Sequence, residues 1–434
     1  MSVPFLARTL LVSALTILPT LGTPCAQAIT PPKVDDRWLP KPAGPAPPSP
    51  TVQREVCAMV ATDAEPGRSQ FANVDDLPRV WQLTRGAGQR VAVIDTGVSR
   101  HPRLPHVLPG GDYVSTGDGT QDCDAHGTLV AGIIAAATSS DPGSFSGVAP
   151  EATLIGIRQS SAKFVPAKDR SRAGIGDVDT LAKAVRTAAD LGASVINISS
   201  VACVPVASAL DDRALGAALA YAVDVKNSVI VAAAGNSGAA QCPPQRADAT
   251  WETITVAVSP AWYDDYVLTV GSVNTEGRPS AFTLAGPWVD VAAPGEDVGS
   301  LASEKVSGTS FAAPVVSGLV ALIRSRFPGL TPRQVMQRIE STAHHPPAGW
   351  DPLVGNGTVD LLAAVSTDAG PSANTAAPTP LPIAPAQPSA PPESRARDTA
   401  VRGAIICLVA LAVALTIGGA RVRLRRSRDA VPSD

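Results

Sequence analysis

Short apolar runs alternate with longer helical patterns between Arg79 and Val365. Nearly continuous apolar runs of this length are typical of buried strands, and here they are RVAVID, TLIGIR, SVINIS, VIVAAAG, VLTVGSV and VDVAAP. Stretches rich in small apolar residues predict the helices between them, namely GTLVAGIIAAAT, VDTLAKAVRTAADLG and LGAALAYAVDVKN. Buried strands that alternate with helices predict an α/β fold, in which helices cover both faces of a mostly parallel sheet. In such sheets the functional site lies at the carboxyl ends of the strands.

The N-terminal apolar run predicts an export signal. It follows Arg8, is interrupted by Pro19 and ends at the small residues Ala26–Ala28. A charged start, a short apolar middle and an A-x-A ending are typical of a secretory signal peptide, here residues 1–28. A membrane helix is the alternative, but the run is short and Pro19 breaks it.

The C-terminal apolar run predicts a membrane anchor. Gly403–Ala420 carries no charge and is long enough to cross a bilayer, which indicates a single transmembrane helix over residues 401–421. The basic segment 422–434 follows directly, and the positive-inside rule puts such a segment in the cytoplasm. A buried core helix is the alternative, and this flank disfavours it. We therefore expect the body of the chain to lie outside the cell membrane.

Proline-rich segments flank the body of the chain. Residues 29–78 predict an irregular N-terminal arm. Residues 369–400, rich in proline and alanine, predict an extended linker, because proline at this density cannot build a core. Residues 79–368 are then the one large folded domain. Charged residues make up 17% of the chain and the net charge is −3, so no basic face for nucleic acid is expected.

The exported part contains four cysteines: Cys57, Cys123, Cys203 and Cys242. An oxidising compartment favours two disulfides, and four cysteines allow three pairings. Cys203 and Cys242 each follow a predicted strand, and parallel strands end at the same rim of a sheet, so these two could meet. That pairing would leave Cys57 for Cys123. The chain has no C-x-x-C pair, which disfavours a metal site.

One serine and one histidine stand in segments suited to nucleophilic catalysis. Ser310, in VSGTSFAAPV, begins a predicted helix, whose N-terminus offers free N–H groups and a partial positive charge. A serine hydroxyl is a poor nucleophile unless a base takes its proton. His126, in DAHGTLVAG, is the best candidate because Gly127 and a helix of small residues follow it.

Two further polar residues follow predicted strands. Asp95 ends RVAVID and is suited to hold a histidine base, although a lone carboxylate at a strand end can also cap a turn. Asn236 follows VIVAAAG, and its amide is suited to bind an oxyanion, although a turn asparagine is the plainer interpretation. The backbone N–H of Ser310 would be a second oxyanion donor.

These segments together resemble the subtilisin-like serine proteases, the subtilases. The resemblance rests on VAVIDTGV, HGTLVAG, AAAGNSG and GTSFAAP in this order, and it covers the predicted folded domain. It implies a subtilisin-like three-layer fold and an endopeptidase in which Ser310 attacks the scissile carbonyl to form an acyl-enzyme. By the same resemblance, His126 is the base, Asp95 orients it and Asn236 holds the oxyanion.

Two positions depart from the family pattern. Leu129 stands where subtilases commonly have a second histidine, but a position on the helix after the base is not expected to abolish catalysis. The segment NISSVACV replaces the usual substrate-binding strand, so the pocket wall near Ser199–Ala202 is expected to differ. The sequence therefore does not predict the cleavage preference.

The order of signal, arm, subtilase body, linker, anchor and basic tail resembles the mycosins, the membrane-anchored subtilases of type VII secretion systems. This resemblance implies protein substrates that are secreted, and association with the secretion membrane complex. A mainly structural role in that complex, with proteolysis secondary, is the alternative. No cofactor is expected; calcium in the loop GDYVSTGDGTQDCD has no ligand spacing to support it. The basic segment Arg158–Asp179 is expected to be an exposed loop.

Overall fold

The computed structural model describes residues 29–58, 60, 76–138, 145–208, 210–238, 242–302 and 304–366. The predicted signal peptide, proline-rich linker, transmembrane helix and cytoplasmic tail all lie outside these residues. Among the helices that the structure does describe, none combines the length and the apolar character needed to cross a bilayer.

A parallel sheet forms the centre of the domain. Its strands are β2 (Arg90–Asp95), β3 (Val107–Asp112), β4 (Thr153–Arg158), β6 (Val195–Ile198), β8 (Val229–Ala233), β10 (Val267–Val273) and β11 (Val291–Pro294). They pair in the order β11-β10-β8-β6-β2-β4-β3, with every pairing parallel. The six apolar runs all became strands of this sheet. The strand β3 was not predicted, because its letters VLPGGD contain a proline and two glycines and lack a strand pattern.

Helices cover both faces of the sheet. They are α1 (Leu77–Leu83), α2 (His126–Ala135), α3 (Val178–Asp190), α4 (Arg213–Ala220), α5 (Thr309–Arg326), α6 (Pro332–Thr342) and α7 (Leu361–Ser366). A short 3-10 helix spans Asp36–Trp38, and α4 continues as a π-helical turn over Tyr221–Val225.

The side chains of β2 show how the layers form. Val91 and Val93 point into the apolar core that contains α2 and α5, whereas Ala92 and Ile94 point into the core that contains α3 and α4. Because successive side chains of a strand face opposite sides, a continuous apolar strand must be covered twice. The predicted three-layer α/β arrangement is confirmed.

Two segments that looked irregular in the sequence pair with each other. In the N-terminal arm, β1 (Thr51–Gln53) forms an antiparallel pair with β5 (Phe164–Pro166). The arm is therefore not irregular throughout, and the segment Arg158–Asp179 is not a plain exposed loop. Neither three-residue strand has a pattern of its own, since each is defined by the other's backbone groups.

Disulfides fasten two segments close to the rim. Cys57 of the arm is bonded to Cys123, with an S–S distance of 2.05 Å, and Cys203 is bonded to Cys242. This pairing matches the one expected from the strand ends. Cys203 lies in β7 (Ala202–Pro205), which pairs with the antiparallel strand β9 (Val256–Ser259).

Candidate active site

Three of the predicted site residues meet at the carboxyl rim of the sheet. Asp95 is the last residue of β2, His126 is the first of α2, and Ser310 is the second of α5. Nδ1 of His126 lies 2.7 Å from Oδ1 of Asp95, and Nε2 lies 3.0 Å from Oγ of Ser310. In the neutral ring, Nδ1–H donates to Asp95 and Nε2 accepts from Ser310. This is the geometry in which a histidine can take the proton of a serine hydroxyl.

The start of α2 approaches the end of β2 unusually closely. A Cβ atom on Gly127 would lie 2.1 Å from the carbonyl oxygen of Gly97 and 3.0 Å from Cβ of Asp95. Only glycine fits such an approach without displacing the backbone. Oδ1 of Asp95 also accepts from the backbone N–H of Thr96 at 2.7 Å. Gly127 therefore permits the contact between His126 and Asp95, and Thr96 fixes the carboxylate.

Asp122 organises the same region, a role that was not predicted from the sequence. It is 8% exposed, and its Oδ2 accepts from both the backbone N–H and the hydroxyl of Thr128, at 2.9 and 2.7 Å. Its Oδ1 accepts from Oγ1 of Thr96 at 2.8 Å and from the N–H of Ala125 at 2.9 Å. A carboxylate that satisfies the free N–H groups at a helix start fixes the direction of that helix. Its position four residues before His126 was the available signal.

The charges around His126 favour its protonated form. Burial of the ring lowers its pKa, but the charge and hydrogen bond of Asp95, with the charges of Asp122 and Asp124, outweigh burial and hold the pKa of His126 above its ordinary value. About a third of the His126 side chain is exposed, at 32%, whereas that of Asp95 is 3% exposed. The ring of His126 can therefore be reached from solvent, whereas the carboxylate of Asp95 cannot.

Asn236 lies beside Ser310, as the sequence predicted. Its Oδ1 accepts from the backbone N–H and the hydroxyl of Thr309, at 3.0 and 3.1 Å. A Cβ atom on Gly308 would lie 3.1 Å from Oγ of Ser310 and 3.4 Å from Nδ2 of Asn236. Both atoms therefore border the same space above Gly308. The amide N–H groups of Asn236 and the backbone N–H of Ser310 can donate there to a developing oxyanion.

A cavity of about 420 Å³ adjoins this rim. Its lining consists of Gln159–Ala162, Arg172–Val178, Leu181 and Ser200–Ala202. Asp124 ties one wall of the cavity to the histidine segment, because its carboxylate accepts from the hydroxyl of Ser161 at 2.5 Å and from the N–H of Ala162 at 2.8 Å. Ser200–Ala202, part of the segment that departs from the subtilase pattern, also line this cavity.

The remaining predictions concern residues away from the triad. Leu129 lies within α2, where its carbonyl accepts from the hydroxyl of Ser300 at 2.6 Å. In the described part of the chain, no group of three or more His, Cys, Asp or Glu side chains is arranged to hold a metal ion. In the acidic loop, Asp112 and Asp118 accept hydrogen bonds from nearby backbone N–H groups.

The arrangement of a carboxylate, a histidine and a serine at the rim of a three-layer fold defines a subtilisin-like serine peptidase. Residues 86–357 match the subtilase family, peptidase S8, so the chain belongs to this family and is a serine endopeptidase. Among its relatives, Mycosin-4 of Mycobacterium tuberculosis is 66% identical over 452 residues, which cover 98% of each chain. The chain therefore lies in the mycosin branch of the subtilases.

Solved structures agree with this assignment. The MycP3 protease from the type VII (ESX-3) secretion system is 43% identical, with a TM-score of 0.72 over 78% of this chain and 100% of that chain. A chain of the intact ESX-5 inner membrane complex is 38% identical, with a TM-score of 0.73 over 92% of this chain and 100% of that chain.

Proposed function

We propose that this chain hydrolyses peptide bonds of secreted proteins through an acyl-enzyme on Ser310. The observation that carries the proposal is the continuous contact from Asp95 through His126 to Ser310, at 2.7 and 3.0 Å. A serine at a helix start, a neutral histidine and a buried carboxylate supply, in this order, the nucleophile, the base and the orienting charge that acyl transfer requires.

In the first half of the reaction, Oγ of Ser310 attacks the scissile carbonyl while Nε2 of His126 takes the hydroxyl proton. The carbonyl oxygen becomes an oxyanion, which accepts from Nδ2 of Asn236 and from the backbone N–H of Ser310. Asp95 stabilises the imidazolium that forms. When the tetrahedral intermediate collapses, His126 gives its proton to the departing amine and the acyl group remains on Ser310.

In the second half, water replaces the amine. The oxygen of the water attacks the acyl carbonyl while His126 takes a proton from the water, and the same oxyanion donors act again. Collapse returns the proton to Oγ of Ser310 and releases the new carboxylic acid. The cavity beside the rim is suited to take substrate side chains, because Ser200–Ala202 of its wall follow directly on Ser199, which contacts the backbone of Ser310.

We further propose that the enzyme works outside the cell membrane, held by one C-terminal helix, in association with a type VII secretion membrane complex. The predicted signal peptide and the basic tail after residues 401–421 support this orientation. The similarity to a chain of the ESX-5 inner membrane complex supports the association. A mainly structural role is not favoured, because the chain belongs to an endopeptidase family and its triad is assembled.

Covalent labelling tests the chemistry. The full-length chain in detergent is treated with a fluorophosphonate, and the labelled peptide is identified by mass spectrometry. We expect labelling at Ser310 that is lost in Ser310→Ala and in His126→Ala. The control is Ser325→Ala, a more exposed serine on the same helix, which should label like the wild type. A folded wild type that takes no label would contradict the proposed acyl-enzyme.

A cellular experiment separates proteolysis from a structural role. Cells that lack this chain are complemented with the wild type or with Ser310→Ala, and type VII secretion, substrate processing and recovery of the membrane complex are measured. We expect Ser310→Ala to restore the complex but not substrate processing. Full processing with Ser310→Ala would refute the proteolytic function.

A further inference from the structure

The helix that carries the nucleophile contains a proline at an informative distance. Pro314 lies inside α5, four residues after Ser310. In an α-helix the carbonyl of residue i accepts from the N–H of residue i+4, and proline has no N–H. The carbonyl of Ser310 therefore lacks the helical donor that this position normally provides. The ring of Pro314 also crowds this carbonyl, because a helical proline contacts the carbonyl four residues before it.

A side chain from the central sheet donates to this carbonyl instead. The hydroxyl of Ser199 donates to the carbonyl oxygen of Ser310 at 3.0 Å. Ser199 follows the last residue of β6 and is 7% exposed. The nucleophile is thus tied to the strand layer through its own backbone, in addition to the contact of its side chain with His126.

The Ser199 hydroxyl is itself held by a buried chain of hydrogen bonds. Nδ2 of Asn197 donates to Oγ of Ser199 at 2.9 Å, and the hydroxyl of Ser317 donates to Oδ1 of Asn197 at 2.8 Å. Asn197 and Ser317 are both 0% exposed. Ser317 lies two turns beyond Ser310 on α5. This series of hydrogen bonds therefore runs from α5 to the end of β6 and back to the start of α5. Because Oγ of Ser199 accepts from Nδ2 of Asn197, its own hydrogen points toward the carbonyl of Ser310.

We propose that Ser199 is a positioning residue for the nucleophile, acting on the backbone of Ser310 in place of the donor that Pro314 lacks. Asn197 and Ser317 orient Ser199. This inference rests on the proposed acyl-enzyme function. Both the Oγ of Ser310 and its oxyanion N–H are set by the backbone at the helix start, so a small rotation there moves nucleophile and oxyanion donor together. Misplacement of reacting groups by about 1 Å lowers rates by roughly 100-fold.

The test compares two buried serines of the same chemistry. Ser199→Ala removes the donor to Ser310. Ser228→Ala is the matched control, because Ser228 is 0% exposed and its hydroxyl also donates to a backbone carbonyl, that of Ala193, at 2.7 Å. Ala193 lies just before the amino end of β6, whereas Ser199 follows its carboxyl end. The inactivation of the full-length chain by a fluorophosphonate is followed at several probe concentrations, and thermal unfolding is measured in parallel.

We expect Ser199→Ala to lower the maximal inactivation rate roughly tenfold while the probe concentration for half-maximal rate stays constant. Ser228→Ala should keep the wild-type inactivation rate, although its Tm should fall about as much as that of Ser199→Ala. Ser317→Ala should lower the inactivation rate by a smaller factor than Ser199→Ala, because Ser317 contacts Ser199 only through Asn197. Equal rates in Ser199→Ala and Ser228→Ala would overturn the inference.

Pro314→Ala provides a rescue that a merely structural role does not predict. Alanine at this position brings an N–H four residues after Ser310, which can donate to the orphaned carbonyl. We expect Ser199→Ala to cost less in this background than in the wild type, so that the two substitutions are not additive. An equal loss in both backgrounds would overturn the inference. Failure of the wild type to label would refute the proposed function itself, and the inference with it.

Discussion

Two buried aspartates of this domain have different partners. Asp95, 2% exposed, contacts a titratable ring at the carboxyl rim of the sheet. Asp212, 1% exposed, accepts from the hydroxyl of Ser259 at 2.6 Å, from Nε1 of Trp262 at 2.8 Å and from the hydroxyl of Tyr263 at 2.8 Å. The first carboxylate can stabilise a positive charge that appears during a reaction, whereas the second has only neutral donors.

The difference shows that burial of a carboxylate does not by itself indicate catalysis. Burial raises the pKa of Asp212, and its hydrogen bonds to Ser259, Tyr263 and Trp262 only partly oppose this. These contacts join the start of α4 to the last residue of β9 and the segment after it, so Asp212 fixes the fold of that region. Asp95 differs because its partner gains and loses a proton.

The largest expected effect is on Asp95, the proposed orienting carboxylate. Asp95→Asn retains the size of the side chain but removes the charge that stabilises the imidazolium. We expect the inactivation rate by a fluorophosphonate to fall about 10⁴-fold at neutral pH. Tm should change little. A loss below tenfold would mean that Asp95 and Asp212 have more similar roles than their partners suggest.

Loss of the proposed oxyanion donor, Asn236, comes next. Asn236→Ala removes the amide beside Ser310 and should lower the inactivation rate by about 10²- to 10³-fold. Because Oδ1 of Asn236 also accepts from Thr309, the variant Asn236→Asp serves as the comparison: it keeps an acceptor but loses the donor. Wild-type rates in Asn236→Asp would show that the amide does not bind the oxyanion.

Asp212 should affect stability and leave the chemistry intact. Asp212→Ala leaves the buried Ser259 hydroxyl and Nε1 of Trp262 without this acceptor, whereas the Tyr263 hydroxyl can still donate to the backbone carbonyl of residue 212. The loss should lower the free energy of unfolding by about 3 kcal/mol. The labelling rate of the folded fraction should equal that of the wild type. Asp211→Ala, an exposed neighbour paired with Arg213, is the control and should leave Tm unchanged. Slower labelling in folded Asp212→Ala would remove the distinction between the two aspartates.

The smallest expected effect is a shift in pH dependence. Since the neutral form of His126 is the proposed base and its pKa is raised, labelling should increase with pH through a midpoint above the value of about 6.5 for a free imidazole. Asp95→Asn should move this midpoint down. The raised pKa also stabilises the fold below pH of about 6.5, and this contribution is lost as pH rises through the folded pKa. A midpoint below that of free imidazole would contradict the charge balance at the site.

Much of the fold and of the site was predictable because its signals are local. Apolar runs such as RVAVID must be buried on both sides, and a polar residue directly after such a run must lie at the rim. Asp95 and Asn236 were found in this way, and His126 and Ser310 by the small residues around them. The chemistry was readable because few residue types can form such a site.

Other features depend on partners far away in the chain. The strands β1 and β5 are each defined by the other, and Ser199 matters only because Pro314 lies 115 positions later in the sequence. Asp122 was missed because an aspartate in an acidic loop gives no sign of the five protein groups it accepts from. Hydrogen-bond partners of this kind cannot be assigned before the elements are packed.

The sequence by itself determined the order of the strands along the chain, the α/β class and the residues available for catalysis, because periodicity and residue chemistry are local properties. Only the tertiary structure decided which carboxylate faces a titratable ring, which serine supports the nucleophile and where the arm pairs. Those outcomes depend on distances of about 3 Å between residues that are remote in sequence, and such distances exist only once the layers have packed.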